Sequence, residues 1–422
     1  VIPGLTFLLG EINSVLLWKL VNKQEEDLAR GLSWLNILVV GVLTSSLWRI
    51  VNLVSLPQPH LLPFDVWPLV WPFILGFLVA ALVSPVVIRL AVKIGAIDDP
   101  ATHDHPAILH TKPVPRAGAL AFLISLIVVG LVFVSPTRMV VGIFISVAVA
   151  TLIGVLDDRF DLSPYLRLGV LLPVAAILIL AAGVNLRAFA NPLGGVIRVD
   201  LLSIPLGKHF ISLPADIIAF LWMMWVMNML SWANGVDGQF SGIAGFTCLT
   251  LAILALRPSA GDLIPPAVPI LAAISAGAAF GLAPATWQRA KIFWGFGATA
   301  VGLMIATLSI LSGAKVATAL LVMIVPAADA LTAVIRRVRR GQSPVWGDRE
   351  HLHHKLLNRG WSHARVAVFY WLVTAVFGLV TIFTAENPKV LLLLTVGGLA
   401  AFVLILINLK AEAGPGWRRP IE

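Results

Sequence analysis

Asp157, Asp158 and Asp161 stand together where the apolar run from Met139 to Leu156 ends, in the order Asp-Asp-Arg-Phe-Asp. Only 21 of the 422 residues are acidic, so three within five positions at a membrane edge mark a place with a use. Carboxylates beside hydrocarbon are costly and usually serve an ion or a substrate. On a helix, Asp157 and Asp161 share one face, with Asp158 turned about 100° away. Hard oxygens gathered this way suit Mg²⁺, or Mn²⁺ in its place, with water and substrate phosphates completing the shell. The residue types point to phosphate chemistry at a bilayer surface.

Three further polar islands accompany this cluster. Asp98 and Asp99 open a segment that runs through Asp104 to Lys112-Pro113-Val114-Pro115-Arg116-Ala117-Gly118. Lys112 and Arg116 can grip a phosphate, Arg through its bidentate fork; the plainer reading is a basic loop touching lipid headgroups. Asn228, Ser231 and Asn234 recur every three residues and lead to Asp237-Gly238. Their amides and hydroxyl suit a nucleobase or ribose, or else serve helix packing. The last island is Asp348-Arg349-Glu350-His351-Leu352-His353-His354-Lys355. His-x-His-His has no established zinc spacing and no cysteine near it, so imidazoles facing a diphosphate explain it better. Cys248, the one cysteine, lies in an apolar run and reads as a buried thiol.

The elements that must position these islands are membrane helices. Hydrophobic residues make up 59% of the chain and charged residues 12%, against roughly 25% charged in soluble domains. Apolar runs near or above the length of a bilayer crossing fall at 2–20, 34–56, 67–94, 117–134, 138–156, 167–184, 215–233, 239–258, 264–284, 292–312, 316–335, 366–384 and 389–409. This is an all-α polytopic membrane fold: about 11 core helices, two extra helices in 1–66, a membrane domain over 67–409 and a tail at 410–422. A short external β-hairpin is expected within 185–213, where Asn191-Pro192-Leu193-Gly194-Gly195 signals a turn. No basic segment with a cleavage site opens the sequence, so no signal peptide is expected.

Charge gives the orientation. Placing 95–116 in the cytoplasm puts all four islands there by counting crossings. The cytoplasmic loops and adjoining helix ends then hold 22 of the 30 Lys and Arg residues, as the positive-inside rule requires. The formal charge of +9 is therefore mainly a topology signal, and its spread over several loops argues against nucleic-acid binding.

The four islands, in this order, resemble the polyprenyl-phosphate N-acetylhexosamine-1-phosphate transferases, glycosyltransferase family 4, of the WecA/TagO/MraY type. The resemblance covers roughly 67–409 and is strongest to the WecA/TagO branch. It rests on Pro115-Arg116-x-Gly118, Asp157-Asp158-x-x-Asp161, Asn228…Asp237-Gly238, Pro326-x-x-Asp329, Ser343-Pro344 and Asp348-Arg349-x-His351-Leu352-His353-His354. It implies transfer of a sugar-1-phosphate from a UDP-sugar to polyprenyl (undecaprenyl) phosphate, releasing UMP, with Mg²⁺ as cofactor. The implied setting is the cytoplasmic face of a prokaryotic plasma membrane, in cell-wall or envelope-glycan synthesis, and a homodimer is allowed. By analogy Asp157, Asp158 and Asp161 are catalytic, and Asp157, Asp158 and Asp237 hold metal. Lys112, Arg116, Asn228, Asn234, Asp237, Arg349, His351, His353 and His354 bind substrate.

Three departures from the family pattern bear on that reading. Asn234 and Ser231 replace an expected Asp and Asn, Ala117 replaces a Gly, and Phe296 stands where the family has a metal-binding Asp. Phe cannot ligate Mg²⁺ and Asn234 is neutral, so metal affinity should fall unless Asp98, Asp99 or Asp104 compensates. The alternatives are a degenerate relative that binds isoprenoid phosphate or nucleotide or acts as a scaffold, and a transporter. A transporter requires a charged path at mid-membrane, of which the helices show little. Phe296 beside the Asp157 carboxylates, with no replacement acid, would favour the degenerate relative.

Overall fold

The computed structural model describes residues 65–100, 112–163, 165–167, 209–257, 264–313, 316–343 and 350–384, with short stretches within 174–206 and 395–403. All belong to the compact unit Phe64–Glu422. The expected helices at 2–20 and 34–56, most of those at 167–184 and 389–409, and the tail at 410–422 lie outside the described residues.

The described helices follow the apolar runs closely. They are α1 (Trp67–Ile94), α2 (Gly118–Phe133), α3 (Arg138–Phe160), α4 (Leu213–Trp232), α5 (Gln239–Ala255), α6 (Ala267–Thr286), α7 (Ala298–Leu311), α8 (Val316–Val322), α9 (Ile324–Arg339), α10 (Leu352–Asn358) and α11 (His363–Phe383). Among the described residues, five helices are long and apolar enough to cross a membrane, or six if the bent pair α8–α9 counts as one span. The chain is an integral membrane protein; the full count of 11 core helices plus two is not reached within these residues.

The core lies where the helices have no lipid-facing side. In α7 every residue from Ala298 to Ile310 is buried, and α5 and α6 are nearly as enclosed. Around them α1 exposes Leu78, Leu82, Val86 and Leu90, an i, i+4 stripe of the kind hydrocarbon accepts without cost. Between α1 and α6 the backbones nearly touch. A Cβ added to Gly277 would sit 2.0 Å from the Phe73 carbonyl oxygen, and one on Gly281 2.3 Å from that of Phe77. Small residues allow this approach, which gives two membrane helices their van der Waals contact.

Three expectations are corrected. The span 316–335 is two helices, bent by 88° at Met323. Pro326 lacks an N–H and fits the first turn of a new helix, which begins just past the bend. The expected helix 292–312 begins only at Ala298, because Ile292–Gly297 is a loop containing Gly295 at φ 64°. The single hairpin is two: Ala188–Ala190 (β3) pairs with Val196–Arg198 (β4), and Ser203–Leu206 (β5) with His209–Ser212 (β6). The overlooked signal is Gly207-Lys208, a two-residue, glycine-led connection. A further two-stranded ladder, Ile97–Asp98 (β1) with Val114–Pro115 (β2), closes the first polar island.

The α1–α6 seam gives a test. Gly277→Ala should cost about 1–3 kcal/mol by forcing the two backbones apart. Its thermal unfolding midpoint in detergent should fall by several degrees; an unchanged midpoint would contradict the close seam.

Candidate active site

The loop Ile292–Gly297, between α6 and α7, joins three parts of the chain through its backbone and a fourth through the Trp294 side chain. Phe293 donates its N–H to Pro115 O at 2.8 Å, and its carbonyl accepts from Ala117 N at 3.2 Å and Gly118 N at 2.9 Å. Trp294 is buried against Phe122 and Phe240, and its indole N–H donates to Ser241 Oγ at 3.0 Å. The Gly295 carbonyl accepts from Asn234 Nδ2 at 3.2 Å. The Phe296 N–H reaches both oxygens of Asp158, at 2.9 and 3.1 Å. Gly295 is needed twice over, for its left-handed φ and because a Cβ there would lie 1.9 Å from Asp158 Oδ2.

The acidic cluster divides its work. Asp157 and Asp158 are buried in the last turn of α3, while Asp161 is its left-handed C-cap with an exposed side chain. Asp158 holds the loop. Asp157 Oδ1 lies 2.7 Å from Arg167 Nε, and Asp161 Oδ1 accepts from Arg167 Nη2 at 3.1 Å. Asp98 pairs with Arg116 across the small ladder. Asp237 Oδ2 accepts from the backbone N–H of Arg289 at 3.0 Å and of Ala290 at 3.3 Å, fixing a turn in which Arg289 takes φ 63°.

These commitments decide whether the carboxylates fit a divalent ion. Asp158 and Asp237 accept from backbone N–H groups. Asp157 Oδ1 is paired with Arg167 by charge, while the Arg167 Nε–H is donated to Leu162 O. Among the described residues no three His, Cys, Asp or Glu side chains converge on one point. Phe296 presents an aromatic face where the family pattern has an acid. Of the substitutes offered, Asp98 is occupied with Arg116, Asp99 does not line the cavity, and Asp104 lies outside the described residues. As arranged, these carboxylates are turned to protein groups rather than gathered around a common point for Mg²⁺.

The expected substrate-binding residues separate into two groups. Lys112, Arg116, Asn234 and Asp237 line one cavity of about 1230 Å³ together with Asp157, Asp158 and Asp161. Asn228 does not line it; its amide donates to Met224 O at 2.7 Å. The histidines are buried and also stand off the cavity. His351 Nδ1 is 2.9 Å from Asp329 Oδ2, and Arg337 Nη2 is 3.4 Å from its Nε2. A guanidinium only donates, so the tautomer that satisfies both partners carries its proton on Nδ1. His353 backs the Gly235 turn, with its Nε2 2.2 Å from where a Gly235 Cβ would be. Asp329 also accepts the Leu352 N–H at 2.8 Å, starting α10. This island braces the Asn234–Asp237 turn from behind. Arg349 lies outside the described residues.

Sequence reasoning passed over Arg167, Arg289 and His363, which also line the cavity. Arg167 opens the apolar stretch 167–184, where it read as an ordinary helix-end cation; its signal was its place six residues beyond Asp161.

The Asn234 contact also explains a departure from the family pattern. Asn can donate to the Gly295 carbonyl, whereas an ionised Asp would turn an acceptor against an acceptor. Asn234→Asp should therefore cost about 1–3 kcal/mol and lower the thermal midpoint. A variant as stable as the parent would show that this contact does not hold the loop.

Comparison with known proteins adds an independent line. Residues 140–313 match the sequence pattern of the family described as "Glycosyl transferase family 4". The chain is 30% identical over 366 residues to a decaprenyl-phosphate N-acetylglucosaminephosphotransferase of Mycolicibacterium smegmatis, covering 78% of this chain and 86% of that protein. It is 28% identical over 302 residues to a probable undecaprenyl-phosphate N-acetylglucosaminyl 1-phosphate transferase of Bacillus subtilis, covering 69% and 78%. It is 25% identical over 303 residues to an undecaprenyl-phosphate alpha-N-acetylglucosaminyl 1-phosphate transferase of Yersinia pestis, again covering 69% and 78%. The chain belongs to glycosyl transferase family 4, on the WecA/TagO-like branch of the polyprenyl-phosphate N-acetylhexosamine-1-phosphate transferases.

Proposed function

We propose that this protein transfers N-acetylglucosamine-1-phosphate from UDP-N-acetylglucosamine to a polyprenyl phosphate, at the cytoplasmic face of a prokaryotic plasma membrane, for envelope-glycan synthesis. The carrying observation is that Asp157, Asp158, Lys112, Arg116, Asn234 and Asp237, drawn from three polar islands, line one cavity at the ends of apolar helices. Family membership and the names of the relatives support the choice of substrates.

In this reading a lipid-phosphate oxygen attacks the phosphorus that carries the sugar. A P–O bond forms there, the P–O bond to UMP breaks, and UMP leaves with the electron pair. Two anions must approach each other, so cationic groups aimed at the phosphates contribute most of the catalysis. Lys112, exposed at the cavity rim, and Arg116, oriented by Asp98, are placed for that work. Asp157 accepts a proton from the lipid phosphate or orients it. Asp158 acts through structure, holding the Phe296 N–H and with it the cavity wall. No step here is routed through a divalent ion, because the carboxylates do not assemble one.

A second reading has a specific observation behind it: Phe296 lies by the acidic cluster with no acid in its place. That favours a relative that binds isoprenoid phosphate or nucleotide without turnover. One assay separates the two. Purified protein, given radiolabelled UDP-N-acetylglucosamine and decaprenyl phosphate with and without Mg²⁺, should form a lipid-linked product and UMP. Asp157→Asn should lower that rate by about 100-fold or more. No product with either protein, while UDP-N-acetylglucosamine still binds, would establish the binding-only reading. Lys112→Met should raise the KM for UDP-N-acetylglucosamine about tenfold or more, with the thermal midpoint unchanged, since Lys112 is exposed. An unaltered KM would remove Lys112 from the phosphate site.

A further inference from the structure

The position left without an acid is filled by a cation of the chain itself. Arg167 Nε lies 2.7 Å from Asp157 Oδ1 and also donates to Leu162 O at 2.9 Å, while Nη2 donates to Asp161 Oδ1 at 3.1 Å. Its Cζ stands 5.0 Å from the centre of the Phe296 ring. The guanidinium is thus held between two carboxylates, with an aromatic face alongside it. Phe offers no oxygen to a metal, but its π face attracts a guanidinium. The backbone that carries the ring is held, because the Phe296 N–H is tied to Asp158. Arg167 keeps about a quarter of its side chain exposed and lines the cavity. Nη1 has no partner among the described residues, which leaves donors free for an incoming phosphate.

We propose that Arg167, seated on Phe296, is the resident cation of this site, supplying at the Asp157–Asp161 end the positive charge for which those carboxylates would otherwise recruit a divalent ion. Its role toward phosphate rests on the transferase reading; its occupation of the carboxylate pair does not. The charge arithmetic favours it. Asp157, Asp161 and Arg167 sum formally to −1, a poor attraction for a divalent cation. Removing the guanidinium, or restoring a carboxylate at position 296, makes that sum −2.

The test is Mn²⁺ binding to purified, substrate-free protein, followed by electron paramagnetic resonance of the free ion. Arg167→Met and Phe296→Asp should each bind Mn²⁺ about tenfold or more tightly than the parent, since each adds one net negative charge beside the site. Two variants guard against one failing to fold. Equal Mn²⁺ affinity in the parent and in each folded variant would overturn the proposal. So would a parent transferase activity that EDTA abolishes and Mg²⁺ fully restores. Absence of transfer under every condition would count against the transferase reading, while the Mn²⁺ result would still decide what occupies the carboxylates.

Discussion

The arrangement depends on the bond pair between the Asp158 carboxylate and the Phe296 N–H. A buried carboxylate is expensive unless its oxygens are satisfied, and a buried backbone N–H is expensive unless it donates. Here each meets the other's need across 138 residues of sequence. The bond fixes the loop Ile292–Gly297, and that loop in turn holds the start of α2 through Phe293 and the end of α4 through Asn234. Trp294 pins it to the core from the other side. A cavity wall made from a loop would otherwise be the softest part of a membrane protein.

Around that hub the polar residues divide into those that meet the cavity and those that hold the wall. Asp157, Asp161, Lys112, Arg116 and Arg167 keep groups at the cavity surface. Asp329, His351 and Arg337 form a buried network behind the Asn234–Asp237 turn, with Arg337 lying over Trp232 at 5.0 Å, and beside it Arg336 reaches Glu350 at 2.8 Å. Polar groups removed from water this way are tolerable only when they satisfy one another, and such a network gives the turn one geometry. The histidine motif serves this structure by bracing the turn.

Much of this was legible in the sequence because the relevant physics is local. Apolar runs of bilayer length located most of the described helices to within a few residues, apart from the late start of α7, the break between α8 and α9, and the short α10. The positive-inside count placed Asp98, Asp157, Asp237 and His351 on one face. What stayed hidden depends on contacts far apart in the chain. Against the family pattern, Phe296 and Asn234 look like two separate losses of a carboxylate around a metal. In space they meet at one loop: Asn234, from the turn after α4, donates to the residue before Phe296, and the Phe296 ring seats Arg167. The break at Met323 escaped because 316–335 is a largely apolar run of bilayer length on either side of it, and length and hydropathy do not register a bend. The burial of His351, His353 and His354 escaped because three polar rings in sequence look alike whether they face water or Asp329.

The central claim is that the cavity beneath the Ile292–Gly297 loop receives the diphosphate of the sugar nucleotide. The most direct measurement is a cryo-electron microscopy structure of the protein bound to UDP-N-acetylglucosamine in lipid nanodiscs. The account expects the diphosphate among Lys112, Arg116 and Arg167, with the Asp158–Phe296 bonds intact and the His351–Asp329 pair still closed behind the turn. Nucleotide density seated on His351, His353 and His354, with that network opened and the Arg167 side of the cavity empty, would contradict it.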